Sequence, residues 1–90
     1  MTVSSDEMAL LRVLATADGP AGMFDVTIAI NPEPQKQVAR QAWMGRQLEL
    51  IDTFLDLYRR GWICEVVTGG GHTGDRYTLT EQGRTITRRA

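Results

Sequence analysis

The residues of this sequence that are best suited to chemistry lie in one short basic stretch. Residues 33–47 carry three basic side chains against a single carboxylate, Glu33. The candidate contact residues in this stretch are Gln35, Lys36, Gln37, Arg40, Gln41 and Arg46. A glutamine amide can bond to N6 and N7 of adenine, an arginine can bond to O6 and N7 of guanine, and a lysine commonly meets phosphate. These types suit contact with duplex DNA, and they also suit the solvated face of an ordinary helix.

A glycine-rich segment adds two further candidates. Gly69, Gly71 and Gly74 have the GxGxxG spacing of dinucleotide-binding loops. That motif requires a helix directly after it and an acidic residue about 20 positions later, whereas a strand-like sequence follows here and the sequence ends first. We therefore expect a turn. His72 and Arg76 at this turn could meet a phosphate, although His72 suits a solvent-exposed position without a role equally well.

The sequence contains no catalytic or metal-binding set. Its single histidine, His72, and its single cysteine, Cys64, lack a third group that could orient them. One cysteine also excludes an internal disulfide and leaves too few ligands for zinc. We expect a protein that is not an enzyme and that needs neither a cofactor nor a metal.

Size and charge narrow the classes of protein further. The chain has 90 residues, which fit one domain spanning residues 1–90. The net charge is −1 and the isoelectric point is about 5.7, so the chain as a whole is not basic. Its basic residues are grouped in short patches along the sequence. No apolar run approaches the roughly 20 residues of a membrane helix, and the first residues lack the features of a signal peptide. With one cysteine, we expect a cytoplasmic protein without a membrane partner.

Helix signals divide the first third of the chain. Ser4, with Glu7 three residues later, has capping-box spacing and predicts the start of a first helix. The sequence Asp18-Gly19-Pro20 predicts its end. A second helix is predicted from Met23 to Ile30, before the proline-containing segment 31–34, although the β-branched residues 26–28 would also suit a strand.

A long apolar pattern follows, from Gln35 to Arg60. It predicts one helix, or two helices that meet near Gly45. At about 100° per residue, one apolar stripe contains Met44, Leu48, Ile51, Leu55 and Tyr58. The adjacent stripe contains Trp43, Leu50, Phe54 and Leu57. One stripe suffices for packing on the first two helices, so we assign the second stripe to a subunit contact in a homodimer, with the hairpin or the C-terminal segment as the alternatives.

The remaining sequence predicts a hairpin and a last helix. Gly61 can end the long helix, and residues 62–68 and 76–79 read as two strands joined by the glycine-rich turn. Thr80 can cap a short C-terminal helix, which Gly83 weakens. The fold class expected from this order is α+β, mainly α.

Two segments resemble a known group of proteins. Residues 55–63 (LDLYRRGWI) are similar to the end of the third helix and the start of the hairpin in bacterial MarR- and PadR-like transcriptional regulators. Residues 77–84 (YTLTEQGR) resemble the Tyr-x-Leu-Thr-x-x-Gly signature that closes their hairpin. The resemblance implies a winged helix-turn-helix domain: three helices, a two-stranded hairpin called the wing, and a short C-terminal helix. The additional long helix that makes the dimer in those regulators has no counterpart before Ala90.

The resemblance also implies a mode of action. The N-terminal part of the third helix, with the six residues of the basic stretch, would enter the major groove of double-stranded DNA, and the wing would touch the backbone or minor groove. We therefore expect a small DNA-binding regulator, acting as a homodimer. The alternative is a winged-helix module that binds a protein partner as an adaptor or inhibitor, which the acidic balance and the broad apolar face of the long helix favour.

Overall fold

The computed structural model describes residues 3–67 and 75–89. Within these ranges the chain is α+β and mainly helical, as predicted. The elements follow in the order α1 (Ser5–Thr16), α2 (Met23–Ile30), a 3₁₀ turn (Gln37–Ala39), α3 (Arg40–Arg59), β1 (Ile63–Val67), β2 (Arg76–Leu79) and α4 (Glu81–Arg89). The β-branched residues of α2 are helical because the hydrophobic side of that segment packs on the other helices, which outweighs a weak strand preference.

Local capping interactions define the N-termini of α1 and α4. The Glu7 backbone N–H donates to the Ser4 hydroxyl over 3.1 Å, and the Ser4 N–H donates to the Glu7 carboxylate over 2.9 Å. This reciprocal pair is the predicted capping box. At α4, the Gly83 N–H donates to the Thr80 hydroxyl over 3.1 Å, so the predicted cap is also confirmed.

The long helix α3 is continuous through Gly45. It starts at Arg40 after the 3₁₀ turn, and it runs without a break to Arg59. No atom lies within 4 Å of the position that a Gly45 Cβ would occupy, so this glycine is an exposed residue on a regular helix. The alternative of two helices meeting there is wrong. After α3, Gly61 adopts the left-handed conformation at φ 81°, which glycine adopts without steric cost.

Strand β2 of the hairpin has a backbone partner on each of its two edges. Strands β1 and β2 pair antiparallel, with Ile63 opposite Leu79 and Glu65 opposite Tyr77. Tyr77 also forms an antiparallel bridge with Ala21 in the α1–α2 loop, through N–H···O bonds of 2.8 and 2.9 Å. A short third backbone segment therefore lies beside β2 and fixes the hairpin to the helices.

One hydrophobic core joins all the elements. Its fully or almost fully buried apolar side chains are Leu10, Leu11, Leu14, Val26, Leu50, Phe54, Leu57, Trp62, Ile63 and Leu79. The Phe54 ring packs edge-on against Tyr77 of β2, with 5.0 Å between the ring centroids.

The core corrects one prediction about α3. Leu50, Phe54 and Leu57 have no exposed surface in the single chain, so their assignment to a subunit contact is wrong. The other apolar stripe is the exposed one, with Met44 57% and Leu48 62% accessible. Helical periodicity identified both stripes but could not choose between them, because that choice depends on where α1 and the hairpin pack.

Candidate nucleic-acid interface

The start of α3 and the turn before it form the most exposed part of the described helices. Residues 35–42 are all exposed, and the first buried residue of α3 is Gln47. At about 1.5 Å per residue, roughly 10 Å of α3 precedes that residue. We call residues 35–42 the α3 tip. It contains five of the predicted contact residues, namely Gln35, Lys36, Gln37, Arg40 and Gln41.

A hydrogen-bonded pair holds the α3 tip against α2. The Trp43 indole N–H donates to the Asn31 carbonyl oxygen over 2.8 Å, and the Asn31 side-chain amide donates to the Trp43 carbonyl oxygen over 3.3 Å. Trp43, which we predicted at a subunit contact, is half-buried and makes this contact within its own chain. Its role in the structure is to connect α2 to α3.

Buried polar groups extend this connection into the protein. The Asn31 amide also donates to the Gln47 side-chain oxygen over 3.2 Å, and the Gln47 amide donates to the Thr27 hydroxyl over 2.6 Å. Thr27 is fully buried and Gln47 is 6% exposed. Hydrogen bonds require defined distances and angles, so this network fixes both the rotation and the position of α3 relative to α2.

Arg46 is paired with carboxylates of its own chain. Its two terminal guanidinium nitrogens donate to the two Asp6 carboxylate oxygens over 2.6 and 2.8 Å, and one of them also reaches Glu49 over 3.3 Å. The Arg46 hydrogen bond lowers the pKa of Asp6, and the reciprocal bond raises the pKa of Arg46. We therefore assign Arg46 to the contact between α1 and α3, in place of the predicted contact with DNA.

The other basic residue of α3 that we predicted at the interface has a weaker tie. Arg40 lies 2.7 Å from the Glu33 carboxylate, and both side chains are about half-exposed, at 55% and 47%. Ion pairs that are this accessible contribute about 0–1 kcal/mol because water and salt screen them. Arg40 can therefore exchange Glu33 for another anion at little cost.

The hairpin contributes only one described candidate. Arg76 is exposed at the start of β2 and makes a long hydrogen bond, 3.4 Å, to the Pro20 carbonyl oxygen. His72 lies outside the described residues. Nearby, a hydrogen bond with Asp75 raises the pKa of Glu65, and burial raises the pKa of Tyr77. These carboxyl groups make the base of the hairpin less attractive to phosphate than Arg76 alone would suggest.

Sequence reasoning missed the side chains that fix α1 to α3. Glu7 accepts a 2.5 Å bond from Arg60, while Asp6 pairs with Arg46. Burial raises the pKa of Glu7, but bonds from Ser4 and the Arg60 charge outweigh burial, and the pKa lies below its ordinary value. The spacing of Gln47, three residues before Leu50 and seven before Phe54, was a usable signal that this glutamine lies on the core side of α3.

A groove lies elsewhere, between α1 and α4. Its volume is about 540 Å³, and its apolar lining includes Val3, Met8, Trp62 and Ile86. None of the residues predicted to contact DNA lines it.

Three comparisons with known proteins bear on this site. The chain has no match among known protein families, curated proteins or solved structures.

In residues 3–67 and 75–89, no helix is long and apolar enough to cross a membrane, and no cluster of histidine, cysteine or carboxylate side chains could hold a metal ion. The physical character of the α3 tip is therefore the main guide to function.

Proposed function

We propose that this chain is a small winged-helix module that binds duplex DNA, with the α3 tip in the major groove. The order of the elements supports the winged-helix assignment: helix, a bridging residue, helix, long helix, hairpin. The Ala21–Tyr77 bridge is the more specific part of that order, because it attaches the hairpin to the loop directly before α2, the helix against which the α3 tip is held.

The single observation that carries the proposal is the surface chemistry of the tip. Residues 34–48 contain no carboxylate, and residues 35–42 present three glutamines, Lys36 and Arg40 to solvent. Amide side chains can donate to and accept from base edges, and basic side chains can donate to phosphates and to base acceptors. An exposed helix end that carries both types is therefore suited to DNA. A helix of about 10 Å diameter also fits the width of the major groove.

Acidic residues limit how much of α3 can approach DNA. Glu49 and Asp52 are exposed near the middle of the helix, and Asp56 is half-buried further along. Carboxylates close to phosphates are repelled, so the helix must meet DNA with its first turns only. The expected contacts to phosphate are correspondingly few, made by Lys36, Arg40 and Arg76.

Binding to a random 24-base-pair duplex tests the proposal through its salt dependence. Three phosphate contacts give a slope of about −2.7 in a plot of log affinity against log salt, so the affinity should fall roughly 40-fold between 50 and 200 mM salt. The double variant Lys36→Ala, Arg40→Ala should reduce the slope to about −0.9. Fluorescence anisotropy of labelled duplex measures both quantities.

A second double variant controls for total charge. Arg84→Ala, Arg88→Ala removes the same two charges from exposed positions of α4, and it should keep the wild-type slope. Equal losses in the two double variants would show that DNA responds to net charge and not to the tip. Absence of binding by the wild-type chain at 50 mM salt would refute the proposal.

A second candidate function, binding of a protein partner, is favoured by one specific observation. Five large hydrophobic side chains of α2 and α3 are exposed: Phe24 59%, Ile28 40%, Met44 57%, Leu48 62% and Tyr58 41%. Exposed apolar side chains on two helices in contact are common at protein interfaces, including those between two copies of a chain. Recovery of a stoichiometric partner that Met44→Ser, Leu48→Ser releases, together with no DNA binding, would favour this function.

A further inference from the structure

We propose that the α3 tip, together with Met44 just beyond it, reads A·T base pairs, with Val38 and Met44 against thymine methyl groups and the tip glutamines against adenine. The inference rests on the proposed DNA-binding function and specifies the bases that the site selects. It starts from Val38, which is 90% exposed in the 3₁₀ turn between the polar residues of the tip. Met44, six residues further along and inside α3, is 57% exposed.

The chemistry of the A·T edge matches this combination of side chains. In the major groove an A·T pair offers the N7 acceptor and N6 donor of adenine together with the methyl group of thymine. A glutamine amide satisfies both adenine groups, and an apolar side chain covers the methyl group. Gln35, Gln37 and Gln41 provide the amides, and Val38 and Met44 provide the apolar surface.

The tip is less suited to G·C pairs. Reading guanine requires an arginine or lysine side chain that is free to donate to both O6 and N7. Arg40 has a half-exposed ion pair with Glu33 that it can exchange, and the proposed function already assigns Arg40 to a phosphate contact, which leaves it unavailable for O6 and N7 of guanine. Lys36 remains, but a lysine ammonium is a point charge that serves phosphate at least as well as a base.

The geometry of α3 brings an amide and an apolar side chain next to each other. Gln41 and Met44 are three residues apart and both exposed, so they share one face, about 4.5 Å apart along the helix axis. Trp43 lies between Gln41 and Met44 in sequence, and its hydrogen bonds with Asn31 hold this face of α3 in a fixed orientation relative to α2.

Competition between synthetic duplexes tests the inference. The labelled random duplex is displaced by poly(dA-dT), by poly(dA-dU), which lacks only the thymine methyl group, and by poly(dG-dC). We expect poly(dA-dT) to compete best, and poly(dA-dU) to be weaker by about fourfold for each methyl group contacted. Because uracil leaves the minor groove unchanged, a methyl effect can arise only in the major groove.

A pair of valine variants locates the methyl contact. Val38→Ala should bring the dT/dU affinity ratio close to one-quarter of its wild-type value. Val66→Ala, which changes an exposed valine of β1 in the same way, should leave the ratio unchanged. Equal competition by poly(dA-dT) and poly(dG-dC), a wild-type dT/dU ratio of one, or an unchanged ratio in Val38→Ala would overturn the inference.

The inference and the proposed function fail in different ways. Salt-dependent binding with no preference for A·T, or with no response to the methyl group, would overturn the A·T inference while the DNA-binding function stands. If none of the duplexes binds at 50 mM salt, both are refuted.

Discussion

Replacing Gly83 with alanine is expected to destabilise this protein, although the same change in an exposed helix normally stabilises. A Cβ at Gly83 would overlap the Trp62 carbonyl oxygen and lie 3.1 Å from its carbon. That oxygen already accepts a 3.1 Å bond from the Thr80 N–H, so it is held in place. Overpacking against a fixed group costs about 3 kcal/mol at the upper end, and the helix preference of alanine returns about 1 kcal/mol. The net loss is about 2 kcal/mol.

Gly45 provides the matched control. A Cβ at this position meets nothing within 4 Å, and Gly45 lies in the middle of α3. Gly45→Ala should therefore stabilise the protein by about 1 kcal/mol. One kcal/mol moves the melting temperature of a domain this small by about 4–8 °C, so thermal unfolding followed by circular dichroism separates the two variants.

The opposite signs of the two changes are the decisive feature. The melting temperature should fall by about 8–16 °C in Gly83→Ala and rise by about 4–8 °C in Gly45→Ala. A Gly83→Ala protein as stable as the wild type would show that α4 does not pack closely on the Trp62 backbone. A decrease in Gly45→Ala would show that α3 is not a regular, exposed helix at that position.

Two further predictions concern the contacts between helices. Gln47→Ala should lower the free energy of unfolding by about 1–3 kcal/mol, because it removes the two hydrogen bonds to Thr27 and Asn31, each worth about 0.5–1.5 kcal/mol. Gln41→Ala on the exposed tip should change it by less than about 0.5 kcal/mol. Urea unfolding measures both, and equal effects would contradict the buried network. The Arg46 bond lowers the pKa of Asp6, so its contribution to stability is present above about pH 4 and is lost as the pH falls through the folded-state pKa. The difference in stability between the wild type and Asp6→Asn should therefore shrink between pH 5 and pH 2, and a constant difference would refute the assignment.

The parts of the fold that could be predicted from sequence are those set by neighbouring residues. The Ser4–Glu7 capping box, the Thr80 cap and the left-handed Gly61 depend on groups only a few residues apart. Each follows from a short pattern whose geometry is nearly the same in every protein. The element order α1, α2, α3, hairpin and α4 could be predicted for the same reason.

The parts that could not be predicted depend on distant residues. Arg46 was assigned to DNA because a basic residue near exposed glutamines is chemically suited to it, yet Asp6 lies 40 positions earlier in the chain and reaches it in the fold. The exposed stripe of α3 was misassigned because both stripes satisfy the same periodicity. In each case the deciding information is which element packs where, and no local pattern contains it.

The candidate site itself was only partly visible from sequence. Five residues of the α3 tip were predicted as contacts together with Arg46, and all five are exposed. What the sequence did not reveal is a polar network, from Thr27 through Gln47 to Asn31, that fixes the start of α3 to α2.

The polar network explains how a projecting helix start can have a defined orientation. An apolar contact between α2 and α3 would be satisfied by several rotations of α3, because dispersion forces depend little on angle. The bonds among Thr27, Gln47, Asn31 and Trp43 are satisfied in only one arrangement. Since a shift of one residue turns a helical side chain by about 100°, a loose contact would move Gln41 and Met44 off the outward face. The proposed reading of base edges requires a defined orientation of these side chains more than added stability, and the network supplies that orientation next to the tip.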